Sequence, residues 1–303
     1  PAMLGYLDLA NSTGTNPNEN YARELLELHT LGVNGGYTEA DIKQAAKLLT
    51  GWRINRETMQ VEFVPGNHYV GPVTVMAFSH SNAAPDGGPA AARELLAYLA
   101  HHRNTAMFLA TKLARHFVAD APPASLVSTL ADTYLANDTQ ITPVLRTLFS
   151  SSEFGASAGA KLRRPMEHVA AVGRAVGLTP TSDPAGLVNL ARALSSAGHA
   201  PFEWTTPDGY PDVAEAWQSA GQALRQFSLA VDLIRGRRKD AFGYLQPEDL
   251  LSDTATATTP TAVAAQLCLR FFGRAPSAGE AKAVVTVLSG PGAPATYVAG
   301  SPQ

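Results

Sequence analysis

The stretch from Ala90 to Ala136 reads AAARELLAYLAHH (90–102), Arg103, NTAMFLATKLARHFVAD (104–120), Ala121, Pro122 and PASLVSTLADTYLA (123–136). In each long block the apolar residues return every three to four positions, the period of an amphipathic helix. Pro122 and Pro123 break the backbone before the third block. Three helices are expected, packed as an antiparallel bundle, and they set the fold class as mainly α.

The same period extends in both directions. Upstream, Asn18 or Asn20 can cap a helix running to about Leu31, where Gly32 supplies the stop. Thr38, with Asp41 at the capping-box position, opens another that ends near Gly51. Only Gln60 to Phe78 departs from this pattern: QVEFV and VTVMAF flank a Pro/Gly-containing loop and read as one small β-hairpin. Downstream, helices are expected at 142–150, 165–176, 184–196, 212–236, 261–272 and 277–289. A long aromatic loop covers 197–211, and the basic cluster 235–239 with the Thr/Ala-rich stretch 252–260 reads as a linker.

The result is a multi-helix globular bundle with a small β-hairpin. At 303 residues the chain is long enough to divide its core between two subdomains. The expected division is 1–177, with the first helix and the hairpin, and 178–303, with the aromatic loop and the terminal helix pair. Trp52 and Trp217 are expected as core anchors.

Hydrophobic residues make up 45% of the chain and charged residues 16%, against roughly 25% charged in an average domain. Ser, Thr, Asn and Gln must therefore supply much of the surface, a pattern of exported proteins, so an extracytoplasmic, bacterial setting is expected. The net charge of −3 offers no basic field for phosphates, and a nucleic-acid partner is not expected. No apolar run approaches the roughly 20 residues that span a bilayer. The start PAMLGYLDLA has no basic n-region of a secretory signal. Cys268 is the sole cysteine, which excludes an intramolecular disulfide, a thiolate metal site and CxxCH haem attachment, and it reads as a buried core thiol. No cofactor is expected. Because the first residue is Pro1, a partial or processed chain is expected, with a protein partner or a preceding segment covering an apolar surface near residues 1–10.

The densest set of polar residues is NENYARELLELHTLG, 18–32. At 3.6 residues per turn Asn20, Arg23, Glu24 and Glu27 share one stripe, and Ala22, Leu25, Leu26 and His29 lie opposite. Asn20 with Glu24 and Arg23 with Glu27 are i,i+4 pairs. One reading is a solvated face with an ordinary ion pair. The other is a polar network in which Glu24 or Glu27 is an acid, base or ligand held by Arg23. With Asn20 and Arg23 both in reach of its carboxylate, Glu24→Gln is expected to lower stability. Glu27 and His29, two apart, leave a helix in different directions, so this segment alone makes no metal site. His68 and His80 flank the hairpin runs as capping or surface groups. In the 197–211 loop, Phe202, Trp204 and Tyr210 among prolines and glycines suit stacking on a sugar or sealing of the core, with Asp208 between them.

The block NENYARELLELHTLGVNGGYTEADIKQAAKLLTGW (18–52) resembles the signature of the bacterial DUF1800 family, an Asn-Glu-Asn-x-x-Arg-Glu helix followed by Thr-Gly-Trp. The resemblance continues through TAMFLATKLARHFVADAPP (105–123), KLRRPMEHV (161–169) and GHAPFEWTTPDGYPDVAEAW (198–217). It implies a longer architecture, of which this chain resembles the C-terminal two-thirds, an export signal, and gene neighbours encoding sulfatase-like proteins. It implies no activity. Relatives tend to carry His-Asp where this chain has His68 followed by Tyr69, so a role resting on that pair would be lost here. The resemblance raises the case that Arg23, Glu24 and Glu27 form an active site with Asn18, Asn20, His29 and His68 around it. Two expectations follow: a binding or scaffold protein acting with a partner and with a carbohydrate ligand, or a hydrolase or lyase acting on an extracellular polymer through Glu24 and Glu27.

Overall fold

The computed structural model describes residues 1–181, 184–235, 237, 242–245, 247–253 and 255–290. Within the expected linker, 236, 238, 239 and 254 lie outside the described residues. The fold is mainly α. Its helices are α1 (Ala2–Tyr6), α2 (Glu19–Glu24), α3 (Glu39–Leu48), α4 (Gly88–Ala100), α5 (Arg103–Phe117), α6 (Ala124–Ala136), α7 (Ile141–Phe149), α8 (Ser152–Ala156), α9 (Pro165–Ala175), α10 (Pro184–Ser196), α11 (Ala220–Ile234), α12 (Pro260–Phe272) and α13 (Ala278–Leu288). The helix expected from 212 begins eight residues later, after a short 3-10 turn at Ala214–Ala216.

The chain forms two compact units. One comprises Pro1–Leu162 together with Thr206–Val213; the other comprises Arg163–Thr205 and the described residues from Ala214 onward. Where the sequence places one boundary after residue 177, the chain passes between units at 162, 205 and 213. The segment 206–213 thus returns to the first unit, a long-range event that no local pattern encodes.

The first unit has two apolar cores. Leu26 of the α2 segment, Ile42 and Leu48 of α3, and Leu95 and Leu99 of α4 form one. Ala106, Ala110 and Ala114 of α5 pack with Leu126 and Leu130 of α6 and Leu148 of α7 in the other. The bundle expected over 90–136 is therefore divided: α5 and α6 pack together with α7, while α4 turns its buried face to α3. The small alanines of α5 let α6 approach closely, and the wider apolar side chains of α4 fill the other core.

The two β-rich runs do not pair with each other as expected. Val61–Phe63 (β2) pairs antiparallel with Trp52–Ile54 (β1), and Val73–Val75 (β3) pairs with Phe78–His80 (β4). Met76, with φ +54°, sits in the tight β3–β4 turn, so VTVMAF folds on itself. Between the hairpins His68 is buried and not superficial. Its Nδ1 lies 3.0 Å from the Thr50 carbonyl and its Nε2 2.9 Å from Asn82 Oδ1. Asn82 Nδ2 donates to the Tyr69 carbonyl, which fixes the amide orientation.

In the second unit Val169 of α9, Leu194 of α10 and Leu229 and Leu233 of α11 share a core. Thr179–Pro180 (β5) pairs with Phe242–Gly243 (β6). Trp217 and Cys268 are buried as expected. No helix among the described residues is long and apolar enough to cross a membrane.

Candidate functional site

Asn18 caps α2. Its side chain accepts from the Asn20 N–H at 2.8 Å, and its own N–H donates to Ser12 Oγ at 2.9 Å. The sequence allowed either Asn18 or Asn20 as the cap; Asn18 takes the role and Asn20 is exposed. After Glu24 the helix widens into a π-turn over Leu25–His29. Thr30 Oγ1 closes this turn by donating to the Leu25 carbonyl at 2.7 Å. Gly32, at φ +86°, donates its N–H to Leu26 O, and a Cβ there would meet Phe108 of α5 at 2.9 Å. Only glycine fits both the backbone and the approach.

The π-turn overturns the 3.6-residue wheel past Glu24. His29, expected beside Ala22, Leu25 and Leu26, is exposed instead, because each π residue advances less around the axis than an α residue. Short π segments recur at functional sites because they re-aim side chains within a helix.

Arg23 does not serve the carboxylates of its own helix. Its two Nη atoms donate to the two oxygens of Glu39, at the start of α3, at 2.6 Å each, with Glu19 at 3.7 Å. Among the described residues, the carboxylates of Glu24 and Glu27 have neither a hydrogen bond nor an ion pair. Both are half-buried. Burial pushes the Glu24 carboxyl above its usual range, and the neighbouring charges of Glu27 and Asp208 push it the same way against Arg23. Tyr37, whose hydroxyl donates to the Val33 carbonyl, is raised by burial and then by the Glu27 charge. His29 is lowered, first by burial and then by the Lys112 ammonium.

The segment 206–213 is held on this unit by Asp212. His116 Nδ1 lies 2.7 Å from its Oδ2, and Lys161 Nζ lies 3.1 Å from its Oδ1 and 3.0 Å from its carbonyl, while also reaching Asp120 at 2.5 Å. Asp208 and Tyr210 are carried with it and line a cleft of about 300 Å³ with Lys112 and Arg115 of α5. Of the expected site residues, Asp208 is a charge neighbour of Glu24 and shares its cleft with Tyr210. His68 stays in its own buried network. Phe202 and Trp204 belong to the second unit. Phe202 is fully exposed and Trp204 is 39% exposed, so neither ring is a buried plug.

Sequence reasoning missed Glu39, Tyr37, Lys112, Arg115, His116, Lys161 and Asp212. Glu39 and Tyr37 lie inside the 18–52 block, and the other five inside the blocks 105–123, 161–169 and 198–217. Glu39 meets Arg23 within the first block, and His116, Lys161 and Asp212 bring the other three blocks together. The chain is a member of the DUF1800 family. The family's model, described as a protein of unknown function, matches residues 1–301. No curated protein and no solved structure matches this DUF1800 member. Among its described residues no group of three His, Cys, Asp or Glu is placed to hold a metal ion.

Proposed function

We propose that this DUF1800 member is an extracytoplasmic binding protein whose ligand is a hydroxyl-rich saccharide held by Glu24, Glu27 and Asp208. One observation carries the reading. Two half-buried carboxylates lack any protein partner among the described residues, while the arginine beside them is committed to Glu39. Half-buried acceptors left open are stabilised by a ligand that donates to them, and sugar hydroxyls donate in this way. Tyr37, in the charge field of Glu27, and Tyr210, in the cleft with Asp208, offer aromatic surface that suits the apolar faces of sugar rings. The low charge content of the chain supports a setting outside the cytoplasm.

A second reading has its own support. Glu24 is raised by burial and by two carboxylate neighbours, the direction in which a general acid is tuned. Glu27 or Asp208 would then be the second carboxylate of a hydrolase or lyase.

Saturation-transfer NMR with oligosaccharides prepared from dextran, xylan and galactan tests both. Binding is expected for the wild-type chain, weakened in Glu24→Gln and Glu27→Gln. Absence of binding across this panel overturns the proposal. Release of new reducing ends between pH 4 and 8, lost in Glu24→Gln while binding persists, establishes the second reading.

A further inference from the structure

The cleft that Asp208 lines has an uneven distribution of satisfied charge. Its walls are the α5 residues Lys112 and Arg115 and the returning segment with Asp208, Tyr210 and Asp212. The acidic groups are occupied. Asp212 is clasped by His116 and Lys161, and Asp208 accepts from the Thr206 hydroxyl. The basic groups are not matched by acids. Lys112 is exposed and rests its ammonium 4.9 Å over the Phe108 ring. Arg115 gives its Nε to the Asp120 carbonyl at 3.1 Å. Neither has a carboxylate partner among the described residues.

Lys112 and Arg115 stand at i,i+3 on one helix, where side chains share a face. A guanidinium with its Nη fork unmatched, beside an ammonium and a tyrosine in a concave wall, is a receptor for an oxyanion. Asp208, which lines this cleft, is also a charge neighbour of Glu24, and Glu24 and Glu27 are carboxylates that accept hydrogen bonds and repel anions. Open carboxylate acceptors and unmatched cations, linked through Asp208, suit a ligand with both hydroxyl and anionic groups.

We infer that the saccharide is acidic, a sugar chain bearing carboxylate or sulfate groups, and that Lys112 and Arg115 hold its anion while Glu24 and Glu27 accept its hydroxyls. This inference rests on the saccharide reading of the carboxylates, and it adds a subsite that those residues do not supply. A sulfated and a carboxylated chain present the same charge to this cleft and differ in the number and spread of their oxygens.

The test uses one backbone in three forms: dextran, carboxymethyl-dextran and dextran sulfate, titrated calorimetrically at low and at moderate salt. Both charged forms are expected to bind tighter than dextran, and raising the salt should reduce that advantage. Lys112→Gln should weaken the charged forms by about tenfold and leave dextran alone, whereas Lys112→Arg should retain binding. Lys43→Gln removes the same charge from α3 and is expected to change nothing. Thermal melting checks that each variant is folded; Lys112 is exposed, so its replacement should not disturb the core. Preference for the sulfated or the carboxymethylated form identifies the anion.

Equal binding of all three polymers overturns the acidic-ligand inference. So does equal loss in Lys112→Gln and Lys43→Gln, or no binding of any form. If dextran binding falls in Glu24→Gln while Lys112→Gln has no effect, the carboxylate site stands and the subsite falls. If Lys112→Gln weakens the charged forms while Glu24→Gln and Glu27→Gln are silent, the anion cleft stands and the carboxylate reading falls.

Discussion

Arg23 spans from α2 to the first turn of α3 and donates both Nη atoms to the two oxygens of Glu39, at 2.6 Å each. Glu39 is exposed and is held below the usual carboxylate range by this hydrogen-bonded pair. A lowered carboxyl stabilises the fold above its unfolded titration range, and that contribution disappears as pH falls through the folded one. Glu39→Gln is therefore expected to lower the melting temperature slightly at pH 7 and low salt. The difference should shrink in high salt and at acid pH, because the pair faces water. Melting curves across salt and pH check this.

Glu24 carries the opposite sign. Its carboxyl is raised by burial, Glu27 and Asp208, so the folded chain holds that proton more tightly than the unfolded chain. Ionisation at neutral pH then opposes folding. Glu24→Gln is expected to leave the melting temperature unchanged or raise it at pH 7, with the difference fading near pH 4. The sequence alone led to the reverse expectation, a loss of stability, because it placed Arg23 and Asn20 on this carboxylate. Arg23 has gone to Glu39 and Asn20 is exposed. A clear loss of stability in Glu24→Gln would show that the carboxylate is held structurally.

Asp212 is the clasp of the returning segment. Burial works to raise its carboxyl, but the hydrogen bonds from His116 and Lys161 outweigh that and hold it low. Its contribution is present above the unfolded carboxyl range and is lost on acidification. Asp212→Asn should destabilise the first unit by about 1–2 kcal/mol and speed hydrogen exchange over 206–213. Binding at the proposed cleft should fall in the same variant, since Asp208 and Tyr210 lie on the segment it holds. Urea unfolding with exchange mass spectrometry reads both effects.

His68 donates from one side to the Thr50 carbonyl and faces Asn82 Oδ1 on the other, in a site that is 7% exposed. Thr50 Oγ1 is already used, donating to the Lys47 carbonyl and accepting from the Tyr69 N–H. Replacing the ring removes the donor of a buried acceptor and opens a void between Thr50 and Asn82. His68→Leu is expected to cost about 2–3 kcal/mol, measured by urea unfolding, and to leave saccharide binding intact in the folded fraction. Loss of binding at full stability would place His68 in the site.

The sequence by itself determined the helical class, the α3 capping box, residues 18–32 as the densest polar cluster, and membership of the DUF1800 family. Each of these is local: period, cap chemistry and motif act within a few residues, so they are legible without a partner. The tertiary structure decided which charges meet. A helical wheel assumes 3.6 residues per turn and carried His29 to the wrong face, because the chain widens into a π-turn over Leu25–His29. Pairing of Arg23 with Glu39 needed the α2–α3 turn, and the distance between Lys161 and Asp212 is 51 positions in sequence but one hydrogen bond in space. Such contacts are set by burial and chain return, over a range that periodicity does not reach.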